Sequence, residues 1–491
     1  MHRWNSKIDG LFRRANLFYA SKTFVWIIIG FGIVLRVAQY LFNRSLWLDE
    51  AMLAINIISR PLPELLQPLS YDQAAPIGFL MAEKLAVDVF GTSEYALRLF
   101  PILCGTLSIF LFYAVARHDL EIQAVPIALG LFAISDKLIY FSSEVKQYSS
   151  DVAIALSLYA VAIYFKSERL SHSRIALCGA IGAAAIWFSH PAIFILAGLG
   201  LTSSAFCFGQ RNWSGMRRLS IVYSIWLSSF AASYFISLRP LIHNEHLLEA
   251  WRGSFIPIPP WTFSDAKVLI SSFFKIFDNP VGLSVPFIAA LTFLMGCISM
   301  FLRKKSKLLV LISPLPFVLL ASSLHMYPFS GRFVLFTVPF VLLFIAEGST
   351  YIAMRSSRIS AIMAVIVIGL LASPPLLDAC YHLITPRTRE EIKPVIRYLR
   401  QHRQDKDLLF VARQSRAAFE YYSESYGFNK SDSIEYLEEL RGGTRVWVLF
   451  SHYSEDLGKG KQILHFLQMV GTRLDAFEAP GAVVHLYALA K

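Results

Sequence analysis

Residues 24–54 read FVWIIIGFGIVLRVAQYLFNRSLWLDEAMLA. The stretch 24–42 carries one charge, Arg36, and as a helix it crosses about 30 Å of hydrocarbon, which takes about 20 residues. Two carboxylates, Asp49 and Glu50, follow directly behind it. Apolar runs of this kind recur at 98–116, 122–138, 150–165, 175–188, 191–208, 219–237, 281–302, 308–324, 334–353 and 359–376, so eleven spans are expected. Composition agrees: 55% of residues are hydrophobic and 16% charged, where a water-soluble chain carries about a quarter charged residues. The fold class this predicts is a polytopic α-helical membrane protein, with residues 1–376 as the transmembrane module.

The formal net charge of +12 invites a nucleic-acid reading until its distribution is followed. With the N-terminus inside, the inward segments hold 18 Lys and Arg against 4 Asp and Glu, and the outward loops before the tail hold 9 against 12. Basic residues collect on the cytoplasmic side of membrane proteins, so the charge reports orientation and no nucleic acid is required. No small-residue cleavage site follows the first apolar run, which is therefore read as a retained span. Of the five cysteines only Cys380 falls outside an expected span, so neither a disulfide framework nor a cysteine metal site is expected.

Three outward segments exceed what a connector needs: 43–97, 238–280 and the tail from 377. Loops carry sites and rigid bundles position them, so the chemistry is expected on the outward face. In the first segment, apolar residues at helical spacing run from Asp49 until Pro61 and Pro63 interrupt them, which suits helices lying at the bilayer surface. The tail, 377–491, alternates helical patterns with β-rich runs (DLLFVA, TRVWVLF, VVHLYAL) and predicts a small three-layer periplasmic α/β domain. No Gly-rich phosphate loop, zinc spacing or nucleophile elbow is present.

Carboxylates beside hydrocarbon are functional or paired, because desolvating them is costly. Asp49 and Glu50 also suit a solvated first helical turn, where the helix dipole favours acids. Five stretches then align in order: WLDEA at 47–51, Pro76-Ile77, FGTSEYALRLFP at 90–101, SSEVKQYSSD at 142–151 and SGRFVLFTVPF at 330–340. Together they resemble the family 39-type membrane glycosyltransferases of the C-type glycosyltransferase superfamily. That group includes protein mannosyltransferases, the lipid A aminoarabinose transferase and galacturonosyltransferases of lipopolysaccharide core. The resemblance covers most of the membrane part.

It implies a polyprenyl-phosphate-linked sugar donor, used on the outer face without any nucleotide, with a lipid, polysaccharide or protein as acceptor; a bacterial cytoplasmic (inner) membrane is expected because no retrieval signal or transit peptide is seen. Carried over by residue, Asp49 is the general base on the acceptor hydroxyl and Glu50 orients the acceptor. Arg332 is the leading phosphate cation, since Arg matches phosphate bidentately. Lys146 adds to the phosphate site, and Glu144 holds sugar or acceptor hydroxyls. Arg36 pairs with a carboxylate, touches phosphate or snorkels to the interface. Tyr148 suits an aromatic interface anchor as well as a binding residue.

The pattern also has a gap. Where the family carries a basic residue or His before Pro76, this chain has Asp72, Gln73, Ala74 and Ala75, and Gln73 is the candidate for the vacated contact. The resemblance leaves metal dependence open, and His246 and Glu249 at helical spacing are a candidate divalent-metal pair, although such a set more often marks a solvated amphipathic segment. A glycolipid transporter or flippase, and a ligase or polymerase using a diphosphate-linked donor, are the alternative functions.

Overall fold

A computed structural model describes residues 21–164, 171–354, 358–429, 433–434, 445–452 and 458–490. Eight helices among them are long and apolar enough to cross a membrane: Lys22–Leu41, Leu99–Asp119, Ala192–Gly209, Trp213–Ile242, Pro286–Arg303, Lys305–Ser323, Gly331–Ala353 and Ile359–Tyr381. Three shorter apolar helices, Ala124–Ile134, Tyr148–Tyr164 and His172–Phe188, fall on the remaining expected spans. The basic N-terminus lies outside the described residues.

Burial sorts the helices. Gly331–Ala353 is 83% buried over its apolar window and Ile359–Tyr381 only 17%, so the former is the central post and the latter a peripheral one. The post packs backbone to backbone against Pro286–Arg303: a Cβ at Gly296 would collide with the Phe344 carbonyl, and one at Gly348 with that of Thr292. Close approach through small residues is how helices associate where lipid removes the hydrophobic drive. The last helix was expected to stop at 376, but it continues through Pro374 and Pro375 to Tyr381. Prolines are tolerated in such helices because neighbouring groups satisfy the freed carbonyls.

Outside the spans, Leu48–Ser59 carries Asp49 and Glu50 in its first turn. Pro61 opens a short 3-10 turn, Leu62–Leu66. The helix Ile77–Phe90 then starts behind Pro76 and stops at Gly91, whose φ of 84° needs a residue without Cβ.

The tail contains a four-stranded sheet of β1 (Leu408–Val411), β2 (Arg445–Ser451), β3 (Gly471–Ala479) and β4 (Ala482–Leu489) in the order β1-β2-β4-β3. The β1–β2 pair is parallel and the other two pairs are antiparallel. The sequence did not mark β3, because this edge strand is largely exposed and lacks an alternating apolar face, whereas β4 is buried almost throughout. Helix Gly458–Val470 covers one sheet face through Leu467. The other face packs on Ile392–His402, and that core continues without a break into Leu53, Ala54 and Ile57 of Leu48–Ser59. The tail and the first outward segment therefore share one hydrophobic core.

Candidate active site

The first turn of Leu48–Ser59 brings Asp49 to Arg332, which opens the central post, with 2.6 Å between carboxylate and guanidinium. Both side chains remain partly exposed. The Arg332 guanidinium stands over the rings of Trp47, Tyr148 and Phe333 at 5.5 to 5.6 Å. Such an aromatic box fixes a cation through the negative ring faces while leaving its donors free. Burial alone would raise the Asp49 carboxyl, but Lys146 and Arg332 outweigh it and hold the group below the ordinary carboxylate range.

Lys146 is buried, and its ammonium donates to the Gln73 amide oxygen at 2.6 Å. Burial pushes it down to about 8, against the pull of Asp49. The run before Pro76 thus meets a cation from another loop. Asp72 instead accepts from Asn244 at 2.8 Å, and Lys84 donates to the Ile58 carbonyl away from the cluster.

Several expected contacts are not made. Glu50 is fully buried and does not face the opening where an acceptor would lie. Its carboxylate takes two hydrogen bonds from Arg98, at 3.0 and 2.9 Å, and one from the Val145 backbone at 2.8 Å. Arg98 also donates to the carbonyls of Arg44 and Ser45, so the pair ties three segments together. Adjacent residues point about 100° apart on a helix, which sends Asp49 to the opening and Glu50 inward.

Glu144 is likewise buried and accepts from the Trp47 indole at 2.5 Å. Burial holds its carboxyl above the usual range, with Arg389 pulling the other way. Tyr148 is no interfacial anchor: it is 4% exposed and packs edge-on against Phe141 and Phe333.

Arg36 lies apart from this cluster. It neither snorkels nor pairs with a carboxylate, since its guanidinium is buried and donates to the carbonyls of Gly32, Phe132 and Ala133. The last two end the helix Ala124–Ile134, where free carbonyls attract a cation. In the proposed metal pair, Glu249 instead faces Arg252 at 3.5 Å. Among the described residues no three His, Cys, Asp or Glu side chains converge to hold a metal ion.

The tail supplies residues that the sequence reading missed. Arg389 places its guanidinium 4.2 Å from the Trp47 ring and 5.1 Å from Tyr140. Glu390 accepts from the Leu48 backbone at 3.3 Å and bonds His452 at 2.6 Å. That hydrogen bond raises the His452 imidazole above its ordinary value, and the ring stacks on Trp47 at 6.3 Å. The signal available was the charge cluster PRTREE at 386–391, close behind the last span. Asp49 thus sits among Arg332, Lys146 and Arg389, an arrangement suited to an anion with a base beside it.

No family model matches the chain, and no curated protein does. Solved structures do match. ArnT from Cupriavidus metallidurans in the apo state aligns over 95% of this chain and 98% of its own, with a TM-score of 0.53 at 13% identity. The same protein bound to undecaprenyl phosphate aligns over the same shares, with a TM-score of 0.55 at 11% identity. At these identities the likeness shows the fold alone, and this chain shares the fold of ArnT.

Proposed function

We propose that this chain is a glycosyltransferase of the bacterial inner membrane. It transfers a sugar from a polyprenyl-phosphate carrier to an acceptor hydroxyl on the periplasmic face, with inversion. The observation that carries the reading is Asp49, kept ionised yet partly exposed between Lys146 and Arg332. The fold likeness to ArnT, solved with undecaprenyl phosphate, supports a lipid-phosphate donor. The cytoplasmic N-terminus and periplasmic tail follow from the sidedness of Lys and Arg, and residues 377–491 form the periplasmic unit docked on the transmembrane module.

In the reaction the acceptor oxygen attacks the anomeric carbon and the bond from that carbon to the phosphate oxygen breaks. The hydroxyl proton passes to Asp49, and the phosphate departs on its lipid. Arg332, Lys146 and Arg389 stabilise the charge growing on that phosphate, which a fixed array of cations does at little reorganisation cost. Donor phosphate competes with Asp49 for Arg332, so donor binding itself frees the base. Glu50 and Arg98 position the turn that carries Asp49.

Transport finds less support, because Arg36 and Glu347, two of the charges within the spans, have structural partners. Arg36 caps backbone carbonyls, and Glu347 is bonded to Arg303 at 2.8 Å and to Ser299 at 2.9 Å.

The test is transfer from labelled undecaprenyl-phosphate sugars by the protein in lipid nanodiscs. Asp49→Asn should insert normally and lose transfer by about 10²- to 10⁴-fold, the contribution of a positioned base. Undiminished transfer by this variant would remove Asp49 from that role.

A further inference from the structure

On the other side of Leu48–Ser59 the tail borders a cleft of about 750 Å³, whose chemistry differs from the surroundings of Asp49. One wall is Ile55, Ile58 and Ser59, and Phe90 stands at another edge. The tail contributes Tyr421, Tyr422 and Tyr426. The Tyr421 and Tyr422 rings meet edge-on, 4.7 Å apart. Hydrogen bonds hold both: Tyr421 donates to the Thr92 carbonyl at 2.7 Å, and Tyr422 donates to Glu94 at 2.9 Å while accepting from the Leu46 backbone.

The single lysine of the lining, Lys393, is matched by Glu94 at 2.9 Å and also donates to the Asn43 carbonyl. The rim adds two further carboxylates, Glu420 and Glu424, so the lining is net acidic. A phosphate or sulfate would be repelled here. Tyr422 is buried in the core, and the partly exposed Tyr421 and Tyr426 are the rings that offer rigid contact area at small entropic cost. Carboxylates only accept hydrogen bonds, and the Ser93 and Ser425 hydroxyls can donate as well, while the Ser59 hydroxyl donates to the Ile55 carbonyl at 2.6 Å. Rings for the C–H face of a pyranose, with acceptors for its hydroxyls, are what a saccharide presents and requires.

We propose that this cleft is a saccharide-binding subsite for sugars without anionic groups, holding a distal part of the acceptor while its reacting hydroxyl lies at Asp49. Ser59 stands ten residues beyond Asp49 on the same helix, about 15 Å along its axis, so the two sites take different parts of one extended acceptor. The acceptor role rests on the glycosyltransferase reading, whereas sugar binding by the cleft does not.

The test uses the full chain in phosphatidylethanolamine and phosphatidylglycerol nanodiscs, free of sugar detergents, with saturation-transfer NMR as the readout. The probes are maltose, cellobiose, the fully deacetylated glucosamine disaccharide, and cellobiuronic acid as the anionic control. At least one of the first three should bind saturably and cellobiuronic acid should not. Tyr426→Ala and Glu424→Gln, both at the open side of the cleft, should each weaken that binding about tenfold, the worth of a hydrogen bond to a charged group or of comparable ring contact.

Binding by none of the three, equal binding of the anionic sugar, or affinity unchanged in both variants would overturn the proposal. Undecaprenyl phosphate binding, measured on the same samples, should be unaffected by either substitution. Sugar binding without undecaprenyl phosphate binding would overturn the glycosyltransferase reading and the acceptor role with it. The reverse result would overturn the cleft alone.

Discussion

The two ends of Leu48–Ser59 face opposite electrostatic worlds. Its first turn presents Asp49 to Arg332, Lys146 and Arg389, while its last turn lines a cleft whose rim is Glu420 and Glu424. Both environments are completed by the tail, through Arg389 at one end and the tyrosines at the other. The difference teaches how one short helix can sort ligands by charge: in the proposed reaction the lipid phosphate goes to the cationic end and is excluded from the acidic one.

The contrast depends on the frame that holds the helix, and removing Arg98 should break it most severely. Arg98→Met leaves Glu50 buried without its partner, a loss of about 3–5 kcal/mol. Thermal unfolding followed by tryptophan fluorescence should show a lowered midpoint, and an unaltered one would mean that the pair holds nothing in place. Arg332→Ala keeps the frame and removes the proposed phosphate cation, so transfer should fall about 10²-fold, in the range of one lost transition-state donor, with little change in unfolding.

Acidity sharpens the comparison further. Asp49 is held below the ordinary carboxylate range, so wild-type transfer should persist at mildly acid pH and fail only once the pH drops below that range. Lys146→Met removes the largest influence lowering Asp49, so the acid limb of the pH–rate profile should move to higher pH. On the alkaline side Lys146 is charged below about 8 and neutral above it, so donor affinity should weaken as pH rises through that value. A flat affinity between pH 7 and 9 would remove Lys146 from the phosphate site. The smallest effect is expected from Tyr422→Phe, which loses the hydroxyl bridging Leu46 and Glu94 and should cost about 1 kcal/mol in denaturant unfolding.

The bundle was legible because most of its apolar runs are long enough to cross a membrane, and the Lys/Arg bias gives an expected direction. Leu48–Ser59 was legible too, since Pro61 punctuates it and its apolar spacing is helical. Strand β3 was not, because an exposed edge strand needs no apolar alternation.

Within the site, Asp49, Arg332 and Lys146 were named from the resemblance of the stretches that carry them, and the structure brings the three together. What each neighbouring residue does depended on packing. Glu50 follows Asp49 in sequence yet turns into the core, and Arg36 found carbonyls where the sequence offered lipid, phosphate or a carboxylate. Arg389 and Glu390 come from one polar stretch and His452 from the residue after β2, all more than 330 residues beyond Asp49, and no local pattern connects them with it. The acidic cleft exists only because the tail docks on the outward helices.

The central claim is that the cations around Asp49 hold a polyprenyl phosphate. The most direct measurement is equilibrium binding of undecaprenyl phosphate to the nanodisc-embedded protein, comparing wild type with Arg332→Ala and Lys146→Gln. The account predicts affinity weakened by about tenfold or more in each variant, with Glu424→Gln unchanged. Equal affinity in all four proteins would contradict it.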